Sequence, residues 1–178
     1  MEQSLSSRLS LIVLPDADGK ETRLGAFWAS QPAVVVFLRH YGCIFCREHV
    51  AQLRKHQESF RARGAALVAI GLGDRMYARE FSTETGIKFP LLIDEKREAY
   101  RMAELRSANL LHFLKKDYLS RQKRALATGP HPVKLLAKNP FQLGGSFVFG
   151  PRDVDRFAHY SETFGDNATP EVLLAALA

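Results

Sequence analysis

The chain carries two cysteines, Cys43 and Cys46, set three residues apart in Gly42-Cys43-Ile44-Phe45-Cys46-Arg47-Glu48. A C-x-x-C pair has two main chemical uses: cycling between dithiol and disulfide, or giving two thiolates to a metal. Residues i and i+3 on a helical turn lie ~5–6 Å apart, within the Cα separation a disulfide tolerates. The pair can therefore oxidise with little backbone movement. Arg47 rather than His follows Cys46, which excludes c-type haem attachment. Two cysteines cannot build a disulfide scaffold, and in a reducing compartment this spacing favours redox or metal chemistry over a staple.

Redox work needs a thiolate. At a pKa near 8.5 roughly 3% of a thiol is ionised at pH 7, and at about 6 roughly 90% is. That ~30-fold gain requires about 3.4 kcal/mol, whereas a surface helix terminus supplies only ~0.3–1. The partner thiol and a nearby cation must supply the rest, and Arg39, His40 and Arg47 are within sequence reach. Cys43 sits nearest the free N–H groups of the helix that follows, so it is expected to be the attacking thiolate and the more exposed sulfur. Cys46, one turn in, is expected to face inward against Phe37 or Val50 and to resolve a mixed disulfide.

A metal site is the sharper competing reading. His40, Cys43, Cys46 and His49 follow one another at intervals of three, and Cys2His2 is a zinc ligand set. His40 would end a strand while the other three follow a single helical turn, so a tetrahedron closes awkwardly. The thiols could also be inert small hydrophobes. His40, His49 and His159 each have a plain reading as surface or hydrogen-bonded core residues, and His56 and His112 carry no further signal. Gly71-Leu72-Gly73 lacks the third glycine and the spaced acid of a dinucleotide turn.

The elements that must position the pair follow from hydrophobic pattern. Leu9, Leu11 and Val13 alternate before Asp18-Gly19, and with Lys20 to Leu24 they predict an N-terminal β-hairpin. Ala33 to Leu38 is a continuous apolar run, as expected of a central parallel strand covered on both faces. A helix is expected over 43–63, with Val50, Leu53 and Phe60 inward, Arg47, Arg54, Lys55 and Glu58 toward solvent, and Gly64 as its cap. Ala65 to Ile70 is a second buried strand, completing a right-handed βαβ unit. Asp74 caps a helix to Thr85, Phe89 to Ile93 is extended, and Asp94 caps a helix to Leu105. Leu110, Leu111, Leu114 and Tyr118 form the apolar stripe of one more helix, which breaks up at Gly129-Pro130-His131-Pro132. Ser146 to Phe149 and Arg156 to Tyr160 make a second hairpin, and Thr169-Pro170-Glu171 starts a terminal helix. The order is that of an α/β thioredoxin-like fold, a central mixed sheet flanked by helices. It carries an N-terminal hairpin extension and a helical insertion before the last hairpin, in one domain over 1–178.

Composition narrows the class further. The chain has 178 residues, 46% of them hydrophobic, enough for a real core. No apolar run approaches the ~20 residues of a membrane-spanning helix. The N-terminus lacks the basic start and cleavage site of a signal peptide, so the expected compartment is cytoplasmic. The net charge is +6, but residues 105–142 hold eight bases (Arg106, Lys115, Lys116, Arg121, Lys123, Arg124, Lys134, Lys138) against one acid, Asp117. One segment is basic rather than the protein. It is either a solvated helix face or a docking surface for an acidic partner. Its bases are not interleaved with aromatics, which argues against nucleic acid.

The stretch Phe37-Leu38-Arg39-His40-Tyr41-Gly42-Cys43-Ile44-Phe45-Cys46-Arg47-Glu48 resembles the active site of the peroxiredoxin-like 2 family, of the AhpC/TSA antioxidant group within the thioredoxin superfamily. The likeness continues in Leu92-Ile93-Asp94 with Tyr100, and in Gly144-Gly145-Ser146-Phe147-Val148-Phe149-Gly150-Pro151 with His159. It spans roughly residues 10 to 175. The resemblance implies a thioredoxin-like fold, a redox-active cysteine pair, antioxidant or thiol-oxidoreductase activity and no organic cofactor. The chain also departs from true peroxiredoxins, whose P-x-x-x-T-x-x-C fits neither cysteine. Counting back from Cys46 puts Cys43 at the Thr and Arg39 at the Pro position; counting back from Cys43 puts His40 and Val36 there. The arginine those enzymes place before a late strand would fall near Gly144. Without that Thr and Arg the pattern does not support fast peroxidase chemistry. Thioredoxins set a cis-proline opposite the cysteines; here Gly144-Gly145 precede Ser146 and leave the backbone free to approach the site.

The sequence therefore reads as a thiol oxidoreductase that reduces a disulfide or a peroxide-type substrate. Cys43 and Cys46 carry the chemistry, supported by Arg39, His40, Arg47, Gly144 and Gly145. Its electrons would come from a thioredoxin- or glutathione-type thiol donor. The rival readings are a non-enzymatic redox sensor or partner-binding module, and the zinc site.

Overall fold

The computed structural model describes residues 3–108, 116–127 and 139–178. In chain order these form α1 (Leu5–Leu9), β1 (Val13–Pro15), β2 (Glu21–Arg23), a 3-10 turn (Leu24–Phe27), β3 (Ala33–Phe37), α2 (Ile44–Lys55), α3 (Gln57–Ala62) and β4 (Ala66–Gly71). There follow α4 (Arg75–Thr85), β5 (Leu91–Ile93), α5 (Glu98–Met102), α6 (Lys116–Ala127), β6 (Gly145–Gly150), β7 (Val154–Tyr160) and α7 (Pro170–Ala175).

The main sheet has the order β5-β4-β3-β6-β7. β3 pairs parallel with β4 and antiparallel with β6; β4 and β5 are parallel, and β6 and β7 antiparallel. This is the thioredoxin-like mixed sheet flanked by helices. Every residue of β3 is buried because the strand is central and both faces are covered. Val34, Val36 and Leu38 enter a core with Val50 and Leu53 of α2, Phe81 of α4 and Leu173 of α7. Val35 and Phe37 enter the opposite core with Leu9, Trp28 and Tyr100. Fully burying each large apolar side chain contributes ~1.5–3 kcal/mol. Register along β3 is thereby fixed, since a one-residue slip would exchange the two cores. Tyr100 ties the ends of the central strands together, its hydroxyl donating to the carbonyls of Leu38 and Ile70 where the cysteine loop leaves the sheet.

Four sequence expectations need correction. Leu9 belongs to a helix, not a strand, and the N-terminal hairpin is confined to Val13–Pro15 paired with Glu21–Arg23. The reason is capping. Ser4 Oγ accepts from Ser7 N, and the Asp155 carboxylate of β7 accepts from Leu5 N and Ser6 N, partners some 150 residues away. The long helix over 43–63 breaks at His56 (φ −101°, ψ 5°), dividing α2 from α3. The helix expected from Asp94 is short. Arg97 takes a left-handed conformation (φ 59°), and the Asp94 carboxylate reaches past it to accept from Glu98 N at 2.8 Å and Tyr100 N at 3.1 Å. The final hairpin is as expected, although β7 starts at Val154 rather than Arg156.

α4 and α7 begin on the expected caps, Asp74 and Thr169, and Gly86 (φ 63°) ends α4 in the left-handed region. In the basic segment a helix stands at Lys116–Ala127 and buries Ala125 beside α2. The predicted stripe residues Leu110, Leu111 and Leu114, the side chain of Tyr118 and the Gly129–Pro132 break lie outside the described residues, as do Lys115, Lys134 and Lys138.

Candidate active site

β3 ends at Phe37, and the chain leaves the sheet as Leu38-Arg39-His40-Tyr41-Gly42 before α2 starts. The close turn is held by Cys43 N donating to the His40 carbonyl at 3.2 Å. Cys43 is the N-cap of α2 in an extended conformation (φ −82°, ψ 122°), and its carbonyl accepts from Cys46 N and Arg47 N. Strand and helix together thus place the two thiols on one helical turn at the end of the central strand. Both cysteines are free. Tyr41 fills the back of the loop. A Cβ at Gly71 would stand 2.3 Å from its ring, so glycine is required there.

Arg39 is the organising side chain. Its backbone N–H donates to Cys46 Sγ at 3.2 Å, and its Nη1 donates to Cys43 Sγ at 3.1 Å. Nε and Nη2 donate to the Gln142 and Pro140 carbonyls at 3.0 and 2.6 Å, and the guanidinium lies 3.8 Å over the Phe164 ring. Gln142 is itself fixed, its side-chain amide donating to the Arg106 and Leu143 carbonyls and its oxygen accepting from Arg97. Gly144 permits this assembly: a Cβ there would stand 2.2 Å from the Phe37 carbonyl oxygen, and one at Gly145 would stand 2.9 Å from that of His159. Gly145 pairs with Phe37 across the sheet, so both glycines support the site by letting β6 close on the end of β3.

The electrostatics divide the two thiols. Burial raises the pKa of each, but Cys43 accepts the Cys46 thiol's hydrogen bond and feels Arg39 and His40. Those interactions outweigh burial and hold Cys43 well below the ordinary thiol value. Burial and the hydrogen bond it donates to Cys43 push Cys46 well above it. The two thiols are thus shifted in opposite directions, and Cys43 is the one that ionises more readily. Burial lowers the His40 pKa, with Cys43 acting against that shift and Arg39 adding to it. The His40 Nδ1 has no hydrogen-bond partner among the described residues.

Three expectations about these residues fail. Cys43 is not the more exposed sulfur: the two are 4% and 5% exposed. Its sulfur makes no capping hydrogen bond to the helix, because it is turned to Arg39 and Cys46 instead. Arg47 is neither solvated nor part of the thiolate's surroundings. It is 4% exposed, pairs with Glu84 of α4 at 2.6 Å and lies over the Phe81 ring. The next two positions are buried as well. Glu48 accepts from Arg124 of α6 through both oxygens, at 2.8 and 3.2 Å. His49 Nε2 donates to the Ala168 carbonyl at 3.1 Å, and burial lowers its pKa to about 4. The Cys2His2 set is therefore not assembled, and no group of three metal-ligating side chains is present among the described residues. Gln142, Phe164 and Arg124 were not found from sequence. They come from 76 to 125 positions beyond their partners and belong to no local pattern.

Residues 52–163 match the family described as AhpC/TSA antioxidant enzyme. The match begins six residues beyond Cys46. Peroxiredoxin-like 2C of Mus musculus is 30% identical over 167 residues, 88% of this chain and 73% of that protein. The Arabidopsis thaliana thioredoxin-like protein AAED1, described as chloroplastic, is 28% identical over 175 residues, 94% of this chain and 71% of that protein. The crystal structure of peroxidoxin BcpB from Mycobacterium tuberculosis superposes with a TM-score of 0.69 at 19% identity, covering 93% of this chain and 90% of that one. Among the described residues no helix is long and apolar enough to cross a membrane.

Proposed function

The chain belongs to the AhpC/TSA antioxidant enzyme family, and within it we propose a thiol-dependent oxidoreductase in which Cys43 attacks and Cys46 resolves. The observation that carries this reading is the 3.1 Å hydrogen bond from Arg39 Nη1 to Cys43 Sγ, with the Cys46 thiol donating to the same sulfur. A thiolate is the nucleophile in both disulfide exchange and peroxide reduction. With a disulfide, Cys43 Sγ bonds to one substrate sulfur and the other leaves as a thiol. Cys46 then attacks Cys43, releasing the second thiol and closing the Cys43–Cys46 disulfide. With a hydroperoxide, Cys43 takes the terminal oxygen as sulfenic acid while the alcohol leaves, and Cys46 displaces water to give the same disulfide. Two electrons from an external thiol donor restore the pair.

Arg39 supports the peroxide branch too. The peroxiredoxin arginine is missing near Gly144, yet a guanidinium reaches the same sulfur from the end of β3. It can stabilise the charge that develops on the leaving oxygen. The cytoplasm is the proposed compartment. A redox sensor that titrates once is the alternative, and turnover separates the two. The test is a panel of peroxides and disulfides with a thioredoxin-coupled donor, run on the wild type and on Cys43→Ser and Cys46→Ser. Multiple turnovers lost in both variants support an enzyme; a single stoichiometric oxidation that no donor reverses removes the reading.

A further inference from the structure

Arg97 is the N-cap of α5 and takes a left-handed conformation (φ 59°, ψ 31°). That region disfavours side chains with a Cβ, and glycine or asparagine fills it with less strain. The turn asks nothing of the side chain. Arg97 N donates to the Asp94 carbonyl at 3.0 Å, the residue makes no side-chain cap, and the Asp94 carboxylate accepts from Glu98 N and Tyr100 N instead. An arginine held in this backbone conformation therefore has its reason elsewhere.

Its guanidinium reaches a second turn. It donates to Asn139 Oδ1 at 3.4 Å and to Gln142 Oε1, both neutral amide oxygens, and its Nε has no hydrogen-bond partner among the described residues. Those two acceptors stand at the ends of one short segment, closed by Gln142 N donating to the Asn139 carbonyl at 3.2 Å. Arg39 is held by the same segment: its Nη2 and Nε donate to the Pro140 and Gln142 carbonyls, while its Nη1 donates to Cys43 Sγ at 3.1 Å. Arg97 thus grips 139–142 by side chains, and Arg39 grips it by carbonyls.

Gln142 joins the two. It is 1% exposed, its Oε1 accepts from Arg97, and its amide N–H groups donate to the Arg106 and Leu143 carbonyls at 3.1 and 2.9 Å. A buried amide satisfied at both ends keeps one orientation, and the main-chain carbonyl it carries is fixed with it. A long arginine side chain has many rotamers, so the acceptors that hold the Arg39 guanidinium decide where it points.

Resting on the redox reading above, we propose that Arg97 is a positioning residue for the nucleophile: through Gln142 it fixes the carbonyls that aim Arg39 at Cys43 Sγ. It touches neither sulfur and acts only by way of Arg39.

Arg97→Gly tests this, because glycine relieves the left-handed backbone while removing the side chain. Its melting temperature should therefore stay close to that of wild type. Alkylation of Cys43 at pH 6 should nevertheless slow about fivefold, the size of one hydrogen bond's net contribution. At high pH, where the thiol is ionised in both proteins, the rates should converge. Arg97→Lys, which can still donate to Gln142, should recover part of the loss. In an Arg39→Met background the same Arg97→Gly change should have no effect on the rate. A pH profile of Arg97→Gly that superposes on wild type overturns the proposal, as does a fivefold loss that persists without Arg39. Mass-spectrometric mapping of the label separates this from the reading beneath: fast labelling of Cys46 rather than Cys43 in the wild type would overturn the assignment of the nucleophile itself.

Discussion

The first turn of α2 holds Cys43 and Cys46, and the second holds Arg47, Glu48 and His49; all five side chains are buried. Burial disfavours the charged form of each. In the second turn every charge is met one-to-one or avoided. Arg47 has Glu84, Glu48 has Arg124, and His49 stays neutral on the Ala168 carbonyl. In the first turn Arg39 is shared among the Cys43 sulfur, two backbone carbonyls and an aromatic face. A buried charge with a dedicated partner is a structural clamp. On the proposed reading, a buried thiolate with a shared partner keeps its nucleophilic character, and the two neighbouring turns would do different work.

The largest effect should come from breaking the first turn itself. Cys43→Ser is expected to abolish turnover and rapid alkylation by a small thiol reagent at pH 6–7. Cys46→Ser should still be alkylated but should trap a mixed disulfide with a disulfide substrate, visible by mass spectrometry. Rapid labelling retained in Cys43→Ser would make Cys46 the nucleophile.

Next in size is the proton balance of the second turn. The His49 pKa is about 4 in the folded protein against 6.5 when unfolded, so unfolding takes up a proton between those values. The neutral imidazole's stabilisation is full above pH 6.5 and lost as pH falls toward 4, about 3 kcal/mol in all. Urea melts at the two pH values should show this loss in the wild type and a smaller one in His49→Gln.

Removing the shared cation should be felt less. Arg39→Met is expected to raise the Cys43 pKa and slow alkylation at pH 6 about 30-fold, equivalent to about 2 kcal/mol for a charge-assisted hydrogen bond. At high pH the two proteins should react alike. A pH profile identical to wild type would show that Arg39 only braces the Pro140–Gln142 segment.

The smallest effect is on the clamp. Arg124→Met leaves the Glu48 carboxylate buried without its partner, at a cost of about 1–2 kcal/mol, less than for a fully buried pair because Arg124 is half-exposed. Adding Glu48→Gln should recover most of that stability. Additive losses in the double variant would mean that the pair does not couple α6 to α2.

Much of the frame was legible because it is local. The apolar run of β3, the caps Asp74 and Thr169, the left-handed Gly86 and the C-x-x-C spacing are each decided within a few residues. What misled was local pattern overruled from afar. Leu9 alternates with Leu11 and Val13, yet Asp155 caps a helix there. Arg47 falls on the face expected to meet solvent until Glu84 and Phe81 close over it.

The sequence by itself determined that two thiols would stand one helical turn apart after a buried strand, because strand periodicity and helical pitch are properties of the chain. It also marked Gly144 and Gly145 as places for close backbone approach. The sequence favoured Cys43 as the ionised sulfur on a helix-cap argument, whereas the contacts that lower its pKa are the Cys46 thiol and tertiary ones. Cys43 and Cys46 are equally buried, and their pKa values part first because the Cys46 thiol donates to Cys43, and then because Arg39, held by Pro140, Gln142 and Phe164 from the far end of the chain, donates its guanidinium N–H to Cys43 Sγ. Coulombic and hydrogen-bond energies depend on distances of a few ångströms, and those distances are set by contacts between segments about a hundred residues apart.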